Sequence, residues 1–486
     1  MDKDIGQLRP KAVWKNFANL NKVPRPSKKE ERVITFMMDF GRSLNLETIK
    51  DKVGNVVICK PATKGMEGRK TTVLQSHLDM VHQKNSDTDF DFETQGIQMR
   101  VEGDWVKAEG TTLGADNGLG VAAIMALLES DDIPHPAIEA LFTIDEETGM
   151  TGAMGLQGDV LKGEILLNLD TEEDDEVDIG CAGGLDITAV KPYNEKPVPR
   201  GIKAYWVNVK GLHGGHSGID IHRGFGNANK IMNRLLYLAS NEFNARIAEI
   251  DGGSLRNAIP RESVAHIVVD KSRTTEFEEQ LSIWANVVKE ELSVTEPDLE
   301  IQLTQAPVPK KVIGLGTQEK LLKSLYAAHN GVYAMSASIT DLVETSNNIA
   351  RVLVKDGTIT VGCLTRSSVD SAKLDLAHSL RSIFELAGMD VTFSGNYPGW
   401  NPDPNSPILE VLKAKYKSLF HESPKVVACH AGLECGILGQ NYPKMDMISF
   451  GPTIKGAHSP DERVSISSVQ KFWKFLLAVL EDIPEK

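Results

Sequence analysis

Apolar residues along this chain recur with two periods, and the places where one gives way to the other predict its elements. Residues 10–44 have largely helical spacing, and Val56-Val57-Ile58-Cys59, after the turn-forming Gly54-Asn55, predicts a short strand. Three β-rich runs at 71–76, 140–144 and 164–169 predict further strands. Between them, the stretch 119–128 sets Val121, Ile124, Met125 and Leu128 on one helical face. Near the C-terminus Val469, Phe472, Leu476 and Val479 do the same behind a Ser467/Gln470 capping box. Strands alternating with helices predict an α/β fold, a mixed sheet flanked by helices. Open sheets of that kind bind ligands beyond the carboxyl ends of their strands.

Two breaks in the pattern suggest an insertion. The Pro-rich stretch 191–200 (KPYNEKPVPR) and the turn-rich stretch 397–407 (YPGWNPDPNSP) read as crossings between domains. They delimit a catalytic domain of residues 1–190 and 397–486 and an inserted α/β lid of residues 191–396. Within the lid, a strand-like run after Asn257 and a helical run at 275–292 are echoed by strands at 348–364 and a helix at 371–387. The echo suggests two similar halves.

Composition narrows the partners. The 486 residues are 41% hydrophobic and 25% charged, as in a soluble globular protein. With 53 basic against 67 acidic side chains, a net charge of -14 argues against a nucleic-acid or anionic-membrane surface and leaves small substrates. The N-terminal stretch lacks the apolar core of a signal peptide and no apolar run reaches bilayer length, so a cytoplasmic location is expected. The five cysteines show no CxxC spacing, which implies neither a disulfide framework nor a thiolate zinc site.

The candidate chemistry lies in short segments scattered along the chain: His77-Leu78-Asp79, Asp116-Asn117, Glu146-Glu147, Asp170 and His458. Two histidines and several carboxylates, most of them at the ends of apolar runs, suit a pair of divalent cations better than a core. On a strand end, residues two apart point the same way, so Asp79 can support the His77 imidazole. Adjacent glutamates can divide labour, one on metal and one carrying a proton. Taken singly, each segment has a blander explanation: a surface histidine, an N-cap at Asp116, a solvated acidic turn, a loop histidine. Other hydrolase chemistries fare worse. Gly215-His216-Ser217-Gly218-Ile219 lacks the final glycine of a nucleophile elbow, Cys181 has no identifiable base, and no glycine cluster continues into a phosphate-binding GK[ST].

Longer motifs carry a resemblance. VLQSHLDMVHQKN, GTTLGADNGLG, GCAGGLD, KGLHGGHSG, LRNAIPRE, HAGLECG and GPTIKGAHSPDE resemble, essentially end to end, the co-catalytic two-zinc peptidases that include glutamate carboxypeptidase, the tripeptide aminopeptidase and aminoacylase. The resemblance implies that Asp116 bridges two Zn²⁺ ions, for which Co²⁺ or Mn²⁺ can substitute. His77 and Asp170 would complete one site, and Glu147 and His458 the other. It further implies Glu146 as general base, Asp79 as orienting carboxylate and a cis peptide between Asp116 and Asn117. From the lid it implies His216 as the donor to the transition state, with His213 and His222 left open as alternatives, and Asn257 and Arg366 as grips on the substrate. The implied activity is hydrolysis of dipeptides, preferentially Xaa-His such as β-alanyl-histidine, by a homodimer. Alternatives are a metal-binding subunit without turnover and a related amidohydrolase or aminoacylase.

Overall fold

In the computed structural model, which describes residues 5–486, the chain divides into two units. One runs up to Gly180 and resumes over Trp400–Ala428 and Leu433–Lys486; the other comprises Cys181–Gly399 and Cys429–Gly432. The first crossing therefore precedes the Pro-rich stretch 191–200, because the strand Gly183–Pro192 is hydrogen-bonded on both sides within the second unit, to Thr358–Ser367 and Asp390–Tyr397. Among the described residues no helix is long and apolar enough to cross a membrane.

The main sheet of the first unit has eight strands: β1 (Glu47–Lys50), β2 (Val56–Lys60), β3 (Thr72–His77), β4 (Ile138–Thr143), β5 (Ile165–Asn168), β6 (Glu176–Cys181), β7 (Lys425–Cys429) and β8 (Asp446–Ser449). Their order is β1-β2-β4-β3-β5-β8-β6-β7. The central four, β4, β3, β5 and β8, are parallel, so their carboxyl ends share one edge, while β1, β2 and β6 pair antiparallel. The sheet is thus mixed. Every residue of β3, β4 and β5 is buried, as expected where both faces of a parallel sheet are covered.

The helix Ala115–Glu129 is buried continuously from Leu119 to Leu128, not along one face as its spacing suggested. Its small residues permit this: a Cβ on Gly120 would overlap Asn117 Oδ1 and Ser76 Oγ. At the C-terminus the capping box is displaced. Ser465 caps the helix Ile466–Glu481, accepting from Ser468 N at 3.2 Å, while Ser467 donates to Asp104. The short strand Arg463–Ser465 runs directly into this helix, so the cap falls on its last residue.

The second unit holds a nine-stranded sheet whose pairs are all antiparallel. The helices Ala228–Phe243, Thr274–Glu291, Leu315–Ala327 and Asp370–Leu386 supply buried side chains to its main core.

Candidate active site

The parallel strands of the first unit deliver their last residues to one edge. β3 ends at His77, β4 ends three residues before Glu146, and β5 ends two residues before Asp170. Asp116 comes from the start of the Ala115–Glu129 helix. It is not the N-cap, which is Gly114 in a left-handed conformation; its own backbone (φ -77°, ψ 113°) is non-helical, and the Asp116–Asn117 peptide is cis. His458 lies in the loop between the short strands Ile454–Lys455 and Arg463–Ser465.

Asp116 is the centre of the cluster. Its Oδ1 lies 3.0 Å from His77 Nε2 and its Oδ2 3.2 Å from His458 Nε2. Asp170 Oδ1 stands 3.6 Å from His77 Nε2, and Glu147 Oε2 stands 3.1 Å from His458 Nε2. Donor atoms of His77, Asp116 and Asp170 all lie within 4.8 Å of one another, as do those of Asp116, Glu147 and His458, and those of His77, Glu146 and Glu147. Glu147 Oε1 is buried with no hydrogen-bond partner. Imidazole nitrogens and carboxylate oxygens in this arrangement fit divalent cations. A further acidic group, Glu30, Asp79 and Asp145, differs because the Lys28 ammonium sits 2.8 Å from Asp145.

Crowding of buried carboxylates sets the local electrostatics. Burial, reinforced by Asp116 and Glu147 and opposed by His77, pushes Asp170 up to about 6. Glu146 is raised well above the carboxylate range, first by burial and then by Asp170, Glu147 and Glu434, with His77 opposing. His458 is pushed up to about 11 by its hydrogen bonds to Asp116 and Glu147. This is a site short of positive charge.

Around the cluster, several residues hold it in place. Asp79 accepts from Ser27 Oγ at 2.8 Å, from Glu146 N at 3.0 Å and from Glu147 N at 3.3 Å, and lies 3.5 Å from His77 Nδ1. One carboxylate therefore orients both the imidazole and the glutamate turn. Sequence reasoning missed the others. Buried Arg25 donates to the carbonyls of Leu78, Asp79 and Gly114. Glu462 accepts from the backbone N–H groups of Leu113, Gly114, Ala115 and Asp116 and so anchors the turn that presents Asp116. Asn117 donates to Leu169 O and to Asp170 Oδ1. Glu462 lay within the quoted GPTIKGAHSPDE motif, which was its only signal; Arg25 belonged to no motif.

The second unit has its own polar cluster. Arg366, 4% exposed on the strand Thr358–Ser367, donates from Nη1 to the Tyr397 hydroxyl at 2.8 Å, and its Nη2 lies 3.5 Å from His216 Nε2. His216 Nδ1 accepts from Gly218 N at 3.2 Å and Ile219 N at 3.1 Å. Both backbone groups can only donate, so Nδ1 accepts and Nε2 is the ring nitrogen turned toward Arg366. The buried Arg366 guanidinium, with the His216 ring beside it, suits an anionic oxygen. Asn257 is exposed; its carbonyl accepts from Ser217 N at 2.7 Å, tying its loop to that of His216. His213 stacks on Phe225 with ring centroids 4.4 Å apart, and His222 is exposed on a short 3₁₀ turn. Also unforeseen are Tyr397 and His430. The latter has Nε2 2.8 Å from Ser346 Oγ and is pushed down to about 3, by burial and then by Arg366 and His216. Ser217 is 1% exposed, too enclosed for a presented nucleophile, and Cys181 is buried as well.

Residues 73–482 match the peptidase family M20/M25/M40. The chain belongs to this family. Membership makes it a metallopeptidase. The chain is 42% identical over 483 residues, 99% of its length and 100% of the relative's, to the cytosol non-specific dipeptidase of Escherichia coli strain K12. It is also similar to the crystal structure of the aminoacylhistidine dipeptidase of Vibrio alginolyticus, with a TM-score of 0.91 and 44% identity over 100% of this chain and 99% of that one. The aminopeptidase PepT of Bacillus cereus has the same fold at a TM-score of 0.58 and 15% identity, over 98% and 99% of the two chains.

Proposed function

We propose that this family member is a cytosolic dipeptidase that hydrolyses Xaa-His dipeptides such as β-alanyl-histidine, using two zinc ions per chain. The observation that carries the reading is the Asp116 carboxylate set between two histidines, each of which has a further acidic partner. Asp116 would serve both cations, His77 and Asp170 one of them, and Glu147 and His458 the other. When bound, such cations acidify water and polarise a scissile carbonyl.

The chain's own residues supply the rest. Glu146 accepts the proton of the attacking water and returns it to the leaving nitrogen; burial raises its proton affinity above that of an ordinary carboxylate, which favours that traffic. Asp79 orients His77 and, through two backbone N–H groups, the turn that carries Glu146. His216 offers its Nε2 hydrogen to the developing oxyanion. Arg366 takes the C-terminal carboxylate of the substrate, helped by Asn257, and its planar fork suits that anion. A homodimer, absence of nucleic-acid or membrane partners, and substitution of zinc by Co²⁺ or Mn²⁺ complete the proposal.

Two readings compete on specificity, since one relative is named non-specific and the other aminoacylhistidine. A panel of dipeptides and N-acyl amino acids, assayed with and without chelator and with Zn²⁺, Co²⁺ or Mn²⁺ restored, tests both. Xaa-His turnover that is lost with chelator and regained with Zn²⁺ is expected. Metal bound at two sites without any dipeptide turnover would sink the proposal in favour of a non-catalytic metal-binding subunit, and preferential cleavage of N-acyl amino acids would replace it with an aminoacylase. Light scattering on the purified protein tests the dimer.

A further inference from the structure

A row of polar side chains crosses the interior of the first unit behind the cluster. Gln75 on β3, Asn168 on β5, Ser449 on β8 and Asp178 on β6 are register partners on successive strands. The first three are fully buried and Asp178 is 6% exposed. The row is one continuous chain of contacts. Buried Glu434 accepts at Oε2 from Gln75 Nε2 and Thr143 Oγ1, both at 2.6 Å. Gln75 Oε1 accepts from Asn168 Nδ2, and Asn168 Oδ1 accepts from Ser449 Oγ. Ser449 Oγ lies 2.8 Å from Thr171 Oγ1, which lies 2.7 Å from Asp178 Oδ2.

Counting hydrogens along this chain leaves one missing. With the Gln75 and Asn168 amides oriented as they stand, Asn168 Oδ1 can only accept, so the hydroxyl hydrogen of Ser449 goes to Asn168. The contact between Ser449 and Thr171 then uses the single hydrogen of Thr171. Nothing remains for the contact between Thr171 and Asp178 unless Asp178 supplies it. Two bare acceptors at 2.7 Å in a buried sheet would repel each other.

We infer that Asp178 is a neutral carboxylic acid that closes a one-directional buried hydrogen-bond chain, and that this chain positions the strand ends leading to His77, Glu146 and Asp170. The placement supports it. Gln75 stands two residues before His77, Asn168 two before Asp170, Thr143 three before Glu146, and Thr171 directly after Asp170. Burial pushes Asp178 up to about 7, with Glu176 and Asp170 adding to the rise and the Thr171 hydrogen bond opposing it, in the direction the hydrogen count requires. Glu434 at the other end is pushed up to about 8 by burial, with Thr143 and His77 opposing and Asp170 and Asp79 adding to it. An apolar row would fill the same space, but it would not tie four strands to one register.

The positioning role rests on the proposed reading of His77, Glu146 and Asp170; the protonation of Asp178 does not. Infrared difference spectra of the metal-loaded protein at neutral pH test the proton: the wild type shows a neutral-carboxyl C=O stretch that D178N lacks. A D178N spectrum that keeps the whole band, or loss of the band only in E434Q, overturns the assignment to Asp178. Steady-state kinetics test the positioning. The amide of D178N can donate to Thr171 as the acid does, so this variant keeps near-wild-type kcat. S449A cuts the chain in the middle and lowers kcat by about tenfold, with KM and bound metal unchanged, because small misplacements of catalytic groups are costly. T171V cuts it one link further and serves where S449A does not fold. Wild-type kcat in a folded chain-cutting variant, or a fall in thermal stability alone, overturns the positioning role. A wild type inactive on every dipeptide would undo the proposed function and leave the infrared result standing.

Discussion

The two units carry polar clusters of opposite character. Around Asp116, the carboxylates of Glu146, Glu147 and Asp170 crowd against two imidazoles, with proton affinities driven up by burial and mutual repulsion. Around Arg366, a buried guanidinium stands beside the Nε2 of His216, and the neighbouring His430 is driven toward its neutral form. The first cluster needs a cation to be comfortable; the second is built to receive an anion. Burial costs either kind of charge, so each cluster implies a partner of the opposite sign. A peptide hydrolase needs both: positive charge to activate water, and donors for an oxyanion and a carboxylate.

The contrast can be broken at several points. Removing metal should act most strongly: dialysis against chelator is expected to abolish dipeptide turnover, and His458→Ala should lose a metal by elemental analysis while wild type keeps it. Next comes Glu146→Ala, expected to retain both metals while kcat falls about 10²–10⁴-fold. Near-normal turnover would remove Glu146 from the role of base. His216→Ala should keep the metals and lose about 2.7–4 kcal/mol of transition-state stabilisation, read as kcat. Arg366→Ala should act mainly on KM, raising it by about 10- to 100-fold, the range for a lost charged hydrogen bond. If its defect lay in metal content instead, the division between the two clusters would fail.

The smallest effect is a proton count. In the metal-free protein His458 is raised from 6.5 to about 11 by Asp116 and Glu147, so it is protonated at neutral pH and must give up that proton to a cation. Calorimetry at pH 7 in buffers of different ionisation enthalpy should show net proton release on metal uptake. The sign for stability follows from the raised value. The ion pair contributes fully below the ordinary imidazole pKa and is lost as pH rises through about 11.

How much of this was legible in the chain varies from residue to residue. β3, β4 and β5 were visible as apolar runs because both faces of a parallel sheet are buried, and the residues just beyond them stood out as charges following hydrophobic stretches. The Ala115–Glu129 helix was recognised but its surroundings were not, since a helix buried on every side has no polar face to reveal its orientation. The Ser467 cap was misplaced because Ser465, Ser467 and Ser468 are equally good candidates until the end of the preceding strand is known. Arg25 and Glu462 escaped because they act on backbone groups, and a partner that is any residue's N–H or C=O leaves no mark on the sequence.

By itself, the sequence determined the α/β class, the family and the inventory of metal-fitting side chains, since these depend on residue type, period and local order. Only the tertiary structure decided that Asp116 faces His77 with one oxygen and His458 with the other across 342 residues of chain, that His216 turns Nδ1 to two backbone N–H groups, and that Gln75, Asn168, Ser449 and Asp178 form a row. Each of these depends on which atoms meet across strands and loops far apart in sequence, and local propensity carries no term for such meetings.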